Sequence, residues 1–212
     1  MNTINEGYFN NTRTDLTEQI LNLNAKCIVE FGAYDCATLI YLNSVLKSVK
    51  LYGVDIDKFA LSKCLDPKIT TIVDDLNKPD SKKYNKLKKS DGMCLILLLD
   101  VIEHLESPEN FLAWIKATFP IGSFVIISIP NVRNWRVFYA LLKNEWPMNE
   151  SGIFDKTHRH FFTSKSILKR LNPYGKVIKI QFRYSKKWWL TIVQMIAPSL
   201  LCGQITLIYE VD

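Results

Sequence analysis

Apolar runs and segments of helical periodicity alternate along the chain from residue 27 to residue 130. The runs predict strands over 27–30, 51–55, 69–73, 93–99 and 122–129. Between them, apolar residues recur at three- and four-residue spacing, which predicts helices over 37–46, 58–64 and 108–118. Strands that alternate with helices are typical of a mostly parallel sheet with helices on both faces. The pattern therefore predicts an α/β fold.

The alternation stops at residue 131. Residues 131–163 are rich in aromatic side chains and hold two of the histidines, but they do not resemble another strand–helix unit. We interpret this segment as an insertion that forms a lid or an acceptor pocket, since such loops often carry function. A helix over 164–171 and strands over 175–182 and 204–211 complete what we expect to be a single domain, 1–212.

The stretch CIVEFGAYDC, residues 27–36, is the first candidate for a binding site. An acid, Glu30, stands near the end of the first strand, and Gly32 opens the turn into a helix. The second strand ends at Asp55, which is placed to accept hydrogen bonds from both hydroxyls of a ribose. Strand, glycine turn, helix, strand and acid together indicate a bound nucleoside. An ordinary buried strand–helix unit that binds nothing remains the alternative.

The turn lacks glycines that some ligands require, and this narrows the choice of ligand. A dinucleotide site needs several glycines so that the backbone can approach a pyrophosphate, and here Tyr34 and Cys36 would crowd it. A nucleoside without phosphates needs no such approach. S-adenosylmethionine, with its sulfonium, ammonium and carboxylate, is a ligand of that kind.

Other candidate contacts lie near further strand ends. Asp75, with Leu76, follows the third strand and is suited to bind an adenine ring, although a turn aspartate is an equal alternative. Asp100 follows the fourth strand and should face the same crevice. Tyr8 and Arg13 precede the first strand; Arg13 could pair with a carboxylate or could be a solvated arginine at a helix start.

Composition sets broad limits. The 212 residues, 48% hydrophobic and 23% charged, are ordinary for one soluble globular domain, and the net charge of +6 permits anionic partners without requiring them. The cysteines form no CxxC pair, and Cys27 and Cys94 lie in apolar runs, where we expect small buried hydrophobic residues. These features predict a reducing, cytoplasmic setting without structural zinc. The N-terminus lacks the apolar core of a secretory signal.

Two basic segments raise the question of macromolecular partners. Residues 78–90 are rich in lysine and most simply form a solvated helix face; only Tyr84 could stack on a base, so we expect no nucleic acid. Residues 186–202 combine lysines and tryptophans with an apolar stretch too short to span a bilayer. Peripheral contact with the inner face of a membrane is open there, as are core packing and a dimer contact.

Several segments together resemble the class I S-adenosylmethionine-dependent methyltransferases. LLLDVIEHLESPENFL is the most specific match, and SIPNVRNW followed by GIFDKTHRHFFTSKSI is similar to a bacterial group often associated with glycan and lipopolysaccharide biosynthesis. The resemblance covers nearly the whole chain. It implies a Rossmann-like, seven-stranded and mostly parallel sheet with an antiparallel last strand, and S-adenosylmethionine as cofactor.

The resemblance also assigns cofactor contacts to segments of this chain. YFNNTR, VEFGAYDC, GVDID and VDDL are similar to the family's leading aromatic–arginine, glycine, ribose and adenine motifs. The contacts it implies are Tyr8, Arg13, Glu30, Gly32, Ala33, Asp55, Ile56, Asp75, Leu76 and Asp100. The chain departs from the family at Tyr34 and Cys36, where glycine is usual.

The histidines are the candidates for catalysis. A hydroxyl acceptor must lose its proton during methyl transfer, and histidine is suited to take it near neutral pH. We expect His158 to be the base and His104 to be the second candidate, with a hydrogen-bonding role for His104 as the alternative. His160 should pack among phenylalanines. A metal bound by Asp155, His158 and His160 lacks a fourth ligand, so no metal site is predicted.

The sequence leaves the acceptor open. A sugar or a cell-envelope glycan precursor is the leading hypothesis for a small-molecule or glycan acceptor. A quinone, lipid or natural-product precursor is the second hypothesis. A non-catalytic binding protein that keeps the fold is the third. Nothing in the sequence indicates the oligomeric state.

Overall fold

The computed structural model describes residues 12–88, 92–184 and 197–212. Its strands are β1 (Cys27–Phe31), β2 (Lys50–Asp55), β3 (Ile69–Val73), β4 (Cys94–Leu99), β5 (Phe124–Pro130), β6 (Gly175–Tyr184) and β7 (Cys202–Val211). Its α-helices are α1 (Thr17–Asn22), α2 (Ala37–Val45), α3 (Lys58–Leu61), α4 (Asn85–Lys88), α5 (Pro108–Thr118), α6 (Trp135–Leu142), α7 (Ser164–Leu171) and α8 (Pro198–Leu201). Short 3₁₀ turns cover Thr14–Leu16 and Ser81–Tyr84.

The strands form one seven-stranded sheet in the order β3-β2-β1-β4-β5-β7-β6. Neighbouring strands from β3 to β5 are parallel, whereas β7 is antiparallel to both β5 and β6. The predicted mostly parallel sheet with an antiparallel last strand is confirmed. The chain order reverses between β1 and β4, and crevices at such switch points bind ligands in α/β sheets.

Alternate residues of the central strands enter two separate cores, which confirms helices on both faces. On one face, Val29 and Ile96 pack with residues of α5 and α7. On the other, Ile28 and Leu95 pack with residues of α1 and α2. Side chains on a strand alternate between the faces of its sheet. An uninterrupted apolar run is therefore required wherever helices cover both sides.

Element boundaries differ from prediction in several places. α3 ends at Leu61 instead of residue 64, and β7 begins at Cys202 instead of residue 204. The predicted insertion contains α6 and then irregular chain, which is joined by single bridges between Asn131 and Phe162 and between Asn149 and Asp155. Local apolar spacing did not show where these elements end, because their ends depend on strand pairing and capping.

Cys27 and Cys94 correct one prediction. We expected two separate buried thiols, but the structure joins them in a disulfide. The reason is strand register: the two residues lie directly opposite each other on the parallel strands β1 and β4, with a Cα–Cα distance of 4.9 Å. That distance is within the usual range for disulfides. Spacing along the sequence could not show this pairing.

Two predictions fall largely outside the described residues. Tyr8 lies there, and so does most of the proposed membrane-contact segment 186–202, of which the structure describes 197–202. Among the described residues, no helix has the length and apolarity needed to cross a bilayer. The lysine-rich segment 78–90 is described up to residue 88, where Tyr84 is fully buried and so is not available to stack on a base.

Candidate active site

The candidate site lies where β1, β2 and β4 end. Gly32 begins the turn after β1 with φ +73°, and its N–H donates to the Val54 carbonyl at 2.8 Å. A Cβ at this position would stand 2.7 Å from a methyl carbon of Val101. A side chain at position 32 would therefore strain the backbone and also crowd the loop after β4. Ala33 donates to the same carbonyl and is buried.

Tyr34 and Cys36 keep a glycine-type backbone without being glycines. Their φ angles are 48° and 61°, in the left-handed region that ordinary residues rarely adopt. The N–H of Tyr34 donates to Asp55 Oδ2 at 2.8 Å, which ties the turn to the end of β2. Tyr34 and Cys36 therefore keep the left-handed backbone that glycines would adopt at these positions. Each does so at a conformational cost of about 1–3 kcal/mol.

Asp55 lies at the end of β2, where the sequence predicted a ribose-binding acid. Its oxygens accept from the N–H groups of Tyr34 and Asp57 at 2.8 and 2.9 Å. Each carboxylate oxygen has a further lone pair, so the group can still accept bonds from a diol. Ile56 follows it and is 66% exposed, which offers an open apolar surface beside the carboxylate.

The acids after β3 have different roles. Asp74 is buried and accepts from Tyr84 Oη at 2.9 Å and Lys83 Nζ at 2.6 Å. Its role is structural, because these bonds fix the 3₁₀ turn Ser81–Tyr84 to the end of β3. Asp75 is half-buried and accepts from the backbone of Asn77, while Leu76 is buried beside it. The choice of Asp75 over its neighbour as an adenine contact stays a prediction, and the structural role of Asp74 favours it.

Glu30 and Arg13 lie on the inner side of the crevice. Glu30 is 5% exposed, and its Oε2 has no hydrogen-bond partner among the described residues. Burial raises the pKa of Glu30 to about 8, against a smaller opposing effect from Thr38 and Arg13. Arg13 is buried and donates to both oxygens of Asp15 and to Ser128 Oγ. The solvated-arginine alternative is therefore wrong, but much of the guanidinium is already bound within the protein.

Asp100, after β4, is held by residues that the sequence prediction missed. Gln204 Nε2 donates to its two oxygens at 2.6 and 2.7 Å, and Ser128 Oγ donates to it at 3.1 Å. Asp100 has φ 57°, which turns the chain out of the strand. Burial raises the pKa of this carboxyl, while Arg13 and its hydrogen bonds oppose that rise. Because β7 runs antiparallel, its first residues lie at the carboxyl ends of the parallel strands, which explains the position of Gln204.

The two candidate catalytic histidines meet. The rings of His104 and His158 have centroids 4.9 Å apart, and Glu103 lies with them. One possible ligand atom from each of these three residues lies within 4.8 Å of the other two. His158 is 9% exposed and Glu103 is 1% exposed. Burial is the main cause that lowers the pKa of His158 and raises the pKa of Glu103 well above its usual range.

Asp155 and His160, which the sequence analysis weighed with His158 as metal ligands and rejected, have other partners. His160 Nε2 is 3.0 Å from the Leu105 carbonyl, and its ring stacks on Phe162, so the predicted packing role is confirmed with an added hydrogen bond. Asp155 accepts from the N–H and hydroxyl of Thr157. The considered trio of Asp155, His158 and His160 is therefore wrong as a cluster. The side chains that come together are Glu103, His104 and His158, two of them from the EHL segment.

A cavity of about 390 Å³ lies between the insertion and the β6–β7 edge. Two of its lining residues lie close to the site: Gln204 donates to Asp100, and the Ile153 backbone is near His158. Trp135, Arg136, Arg183 and Tyr184 also line it. The cavity thus has aromatic and cationic walls, and Gln204 in its lining contacts the Asp100 carboxylate.

Comparison with known proteins identifies the family. Residues 8–177 match the model of a family described as a methyltransferase domain. The chain belongs to this methyltransferase family. No curated protein matches the methyltransferase in sequence at a significant level. The enzyme assignment replaces the non-catalytic binding protein, which was the third hypothesis from the sequence.

Solved structures with the same fold are distant in sequence. A SAM-dependent methyltransferase from Archaeoglobus fulgidus has a TM-score of 0.66 at 14% identity, covering 92% of this chain and 91% of its own. One from Aquifex aeolicus has a TM-score of 0.57 at 11% identity, with coverages of 92% and 89%. The plantazolicin methyltransferase BamL, solved in complex with a triazolic desmethylPZN analog and SAH, has a TM-score of 0.61 at 13% identity, with coverages of 94% and 82%.

The cofactor of the methyltransferase is S-adenosylmethionine, and the described residues fit it. The unpartnered Oε2 of buried Glu30 is an acceptor suited to the cofactor's ammonium group. Asp55 can accept from the ribose hydroxyls, and Ile56 and Leu76 offer apolar surface for the adenine. These residues lie at the ends of three adjacent strands, β1, β2 and β3, in the order that the sequence predicted.

Proposed function

We propose that the protein transfers a methyl group to a hydroxyl oxygen of a sugar or a sugar-linked cell-envelope precursor. The cavity beside the cofactor residues carries the proposal, because its walls combine Trp135 and Tyr184 with Arg136 and Arg183. Aromatic rings pack on the apolar faces of sugars, while arginine side chains bind phosphate or carboxylate groups in a fixed geometry. A volume of about 390 Å³ suits a small acceptor.

The acceptor side of the site supports transfer to oxygen. Bound S-adenosylmethionine supplies an electrophilic methyl group on a positively charged sulfur. The acceptor hydroxyl loses its proton, its oxygen forms the new bond to the methyl carbon, and the electrons of the broken carbon–sulfur bond remain on sulfur. Glu103, His104 and His158 lie together near Asp100 and Ile153, which supports a role for them in removing that proton.

The other task of the protein is alignment. Methyl transfer requires nucleophile, carbon and sulfur in line, and positioning can supply several kcal/mol of the rate increase. Gln204 contacts Asp100 and also lines the cavity, so it connects the cofactor side to the acceptor side. Action in the cytoplasm or at the inner face of the membrane stays a prediction from the sequence, and the disulfide between Cys27 and Cys94 removes one of its grounds.

A methyl-transfer screen tests the proposal. Purified protein and S-adenosylmethionine are incubated with nucleotide sugars, sugar phosphates, neutral sugars, and quinone and lipid precursors, and products are detected by mass. We expect a gain of one methyl group on an anionic sugar. Methylation of a quinone or lipid precursor, with no sugar accepted, would replace this proposal with the second hypothesis for the acceptor.

Arginine variants sharpen the screen. Arg136→Gln combined with Arg183→Gln should raise KM for an anionic sugar about tenfold or more and leave KM for its neutral analogue nearly unchanged. Arg133→Gln is the matched control, because Arg133 bonds Ser199 Oγ at 2.6 Å and does not line the cavity. Equal KM changes in both sets of variants would contradict the role given to the cavity arginines.

A further inference from the structure

Three side chains converge in a way that the methyltransferase fold does not require. Glu103 and His104 follow β4, and His158 comes from the insertion. One ligand atom from each residue lies within 4.8 Å of the other two. Ligand atoms on a single ion, at bond lengths of about 2.0–2.2 Å, stand about 3–4 Å apart. Small side-chain rotations would therefore bring all three onto one ion.

Three polar atoms of these side chains lack hydrogen-bond partners among the described residues. Both carboxylate oxygens of Glu103 and Nε2 of His158 are buried without a hydrogen bond among the described residues. A buried polar atom without a partner costs about 1–3 kcal/mol, and more for a charged group. Three such atoms in one place point to a ligand that satisfies them together. A cation bound by all three side chains would satisfy these atoms together and would favour the ionised form of Glu103.

His104 is held by contacts to Thr157, and His158 lies against the insertion backbone. His104 Nδ1 lies 3.3 Å from the Thr157 carbonyl and 3.1 Å from its hydroxyl, and Thr157 in turn donates to Asp155. His158 lies close to the Ile153 backbone, and its Nε2 has no hydrogen-bond partner among the described residues. Metal-binding histidines usually donate their other ring N–H to a carbonyl or carboxylate, which leaves a lone pair for the ion.

We propose that Glu103, His104 and His158 bind a divalent transition-metal ion such as Mn²⁺ or Zn²⁺. Two imidazole nitrogens and one carboxylate favour such ions, whereas Mg²⁺ prefers ligands that are all oxygen. Three protein ligands leave coordination positions open for an acceptor or water.

The position of the ion would fit the proposed reaction. The cluster is close to Asp100 and to Ile153, and Ile153 lines the cavity. An acceptor hydroxyl bound to the ion becomes more acidic, so it can release its proton to solvent water before its oxygen attacks the methyl carbon. The histidines then act as ligands instead of as a base. This role of the ion rests on the proposed transfer to a hydroxyl, whereas binding of the ion does not.

Binding is tested first, without any acceptor. Untagged protein is dialysed against chelator and titrated with MnCl₂, followed by electron paramagnetic resonance of free Mn²⁺, and with ZnCl₂ by calorimetry. We expect one ion per chain, and at least about a hundredfold weaker binding in Glu103→Gln and in His158→Gln. His160→Gln is the matched control, because His160 bonds the Leu105 carbonyl outside the cluster.

The results separate the proposal from its competitors. No saturable site for either ion in the parent protein, or equal binding in the parent and both ligand variants, would overturn it. Circular dichroism and binding of S-adenosylhomocysteine show whether each variant is folded; if one ligand variant is not, the other and His104→Gln decide the question. Sugar methylation that is unchanged after complete chelation would exclude the catalytic role of the ion. Metal binding without any sugar methylation would instead contradict the proposed acceptor.

Discussion

Replacement of Asp55 by alanine should weaken cofactor binding more than it weakens the fold. The two ribose hydroxyls would each donate to a charged carboxylate, and such bonds are worth about 1.5–3 kcal/mol each. Asp55 is half-buried at the end of β2, so we take the lower end of that range. A loss of about 3 kcal/mol corresponds to an affinity reduced by about a hundredfold.

The same change should also destabilise the protein. Asp55 accepts from the backbone N–H groups of Tyr34 and Asp57, at 2.8 and 2.9 Å, and these bonds tie the turn after β1 to the end of β2. Their loss should cost about 1–2 kcal/mol, since both donors can reach water when the carboxylate is removed. The affinity of Asp55→Ala for the cofactor could therefore fall for two reasons, the lost contact to the ribose and the destabilised turn after β1.

Asp57→Ala separates the two effects. Asp57 caps α3 by accepting from Phe59 and Ala60, and loss of such a cap costs about 0.5–2 kcal/mol. It lies two residues from Asp55 and has no assigned cofactor contact. Calorimetric titration with S-adenosylhomocysteine, with urea unfolding of each variant, should show similar losses of stability but a loss of affinity only for Asp55→Ala. Equal affinities in the two variants would mean that Asp55 supports the turn and does not bind the ribose.

Three further predictions concern the other groups of the site. The pKa of Glu30 is raised to about 8 from 4.5, so its contribution to stability is complete below pH 4.5 and is lost as pH rises through 8. Between pH 5 and pH 8.5, the free energy of unfolding should therefore fall less in Glu30→Gln than in the parent. Parallel curves for the two proteins would refute the burial argument. His158→Ala should lower turnover about a hundredfold or more while cofactor affinity stays within a fewfold, whether the ring is a base or a ligand; a larger loss in His104→Ala would reverse the order of the two. Gln204→Leu should lower turnover and raise KM for the acceptor, because it removes two hydrogen bonds to Asp100 and one polar residue of the cavity lining. Unchanged kinetics would contradict a role for Gln204 in linking Asp100 to the acceptor cavity.

The sequence predicted the parts of the site that local pattern determines. Apolar runs located the strands, and the end of each parallel strand lies at the same edge of the sheet, so Glu30, Asp55 and Asp75 could be placed without coordinates. Gly32 could be predicted because a strand-to-helix turn of this kind requires a positive φ.

Pairings over long distances could not be predicted in this way. Cys27 meets Cys94 because of the register of two parallel strands. Gln204 reaches Asp100, 104 residues away in sequence, because β7 runs antiparallel to β5. Glu103 and His158 meet because irregular chain folds back from the insertion, where the N–H groups of Arg159 and His160 donate to the Glu103 carbonyl. None of these contacts leaves a period or a spacing in the sequence.

The turn after β1 has one consequence for how this sequence can change. Cys36 stands where a glycine is usual, and the space for its sulfur is supplied by Gly53 on β2, where an added Cβ would lie 2.5 Å from Sγ. Positions 36 and 53 are therefore not independent. A lineage that acquired an alanine at 53 before a glycine at 36 would pass through an overpacked intermediate, whereas the opposite order opens the space first. Homologous chains should show these two positions varying together, with glycine at 53 wherever position 36 bears a side chain as large as that of cysteine.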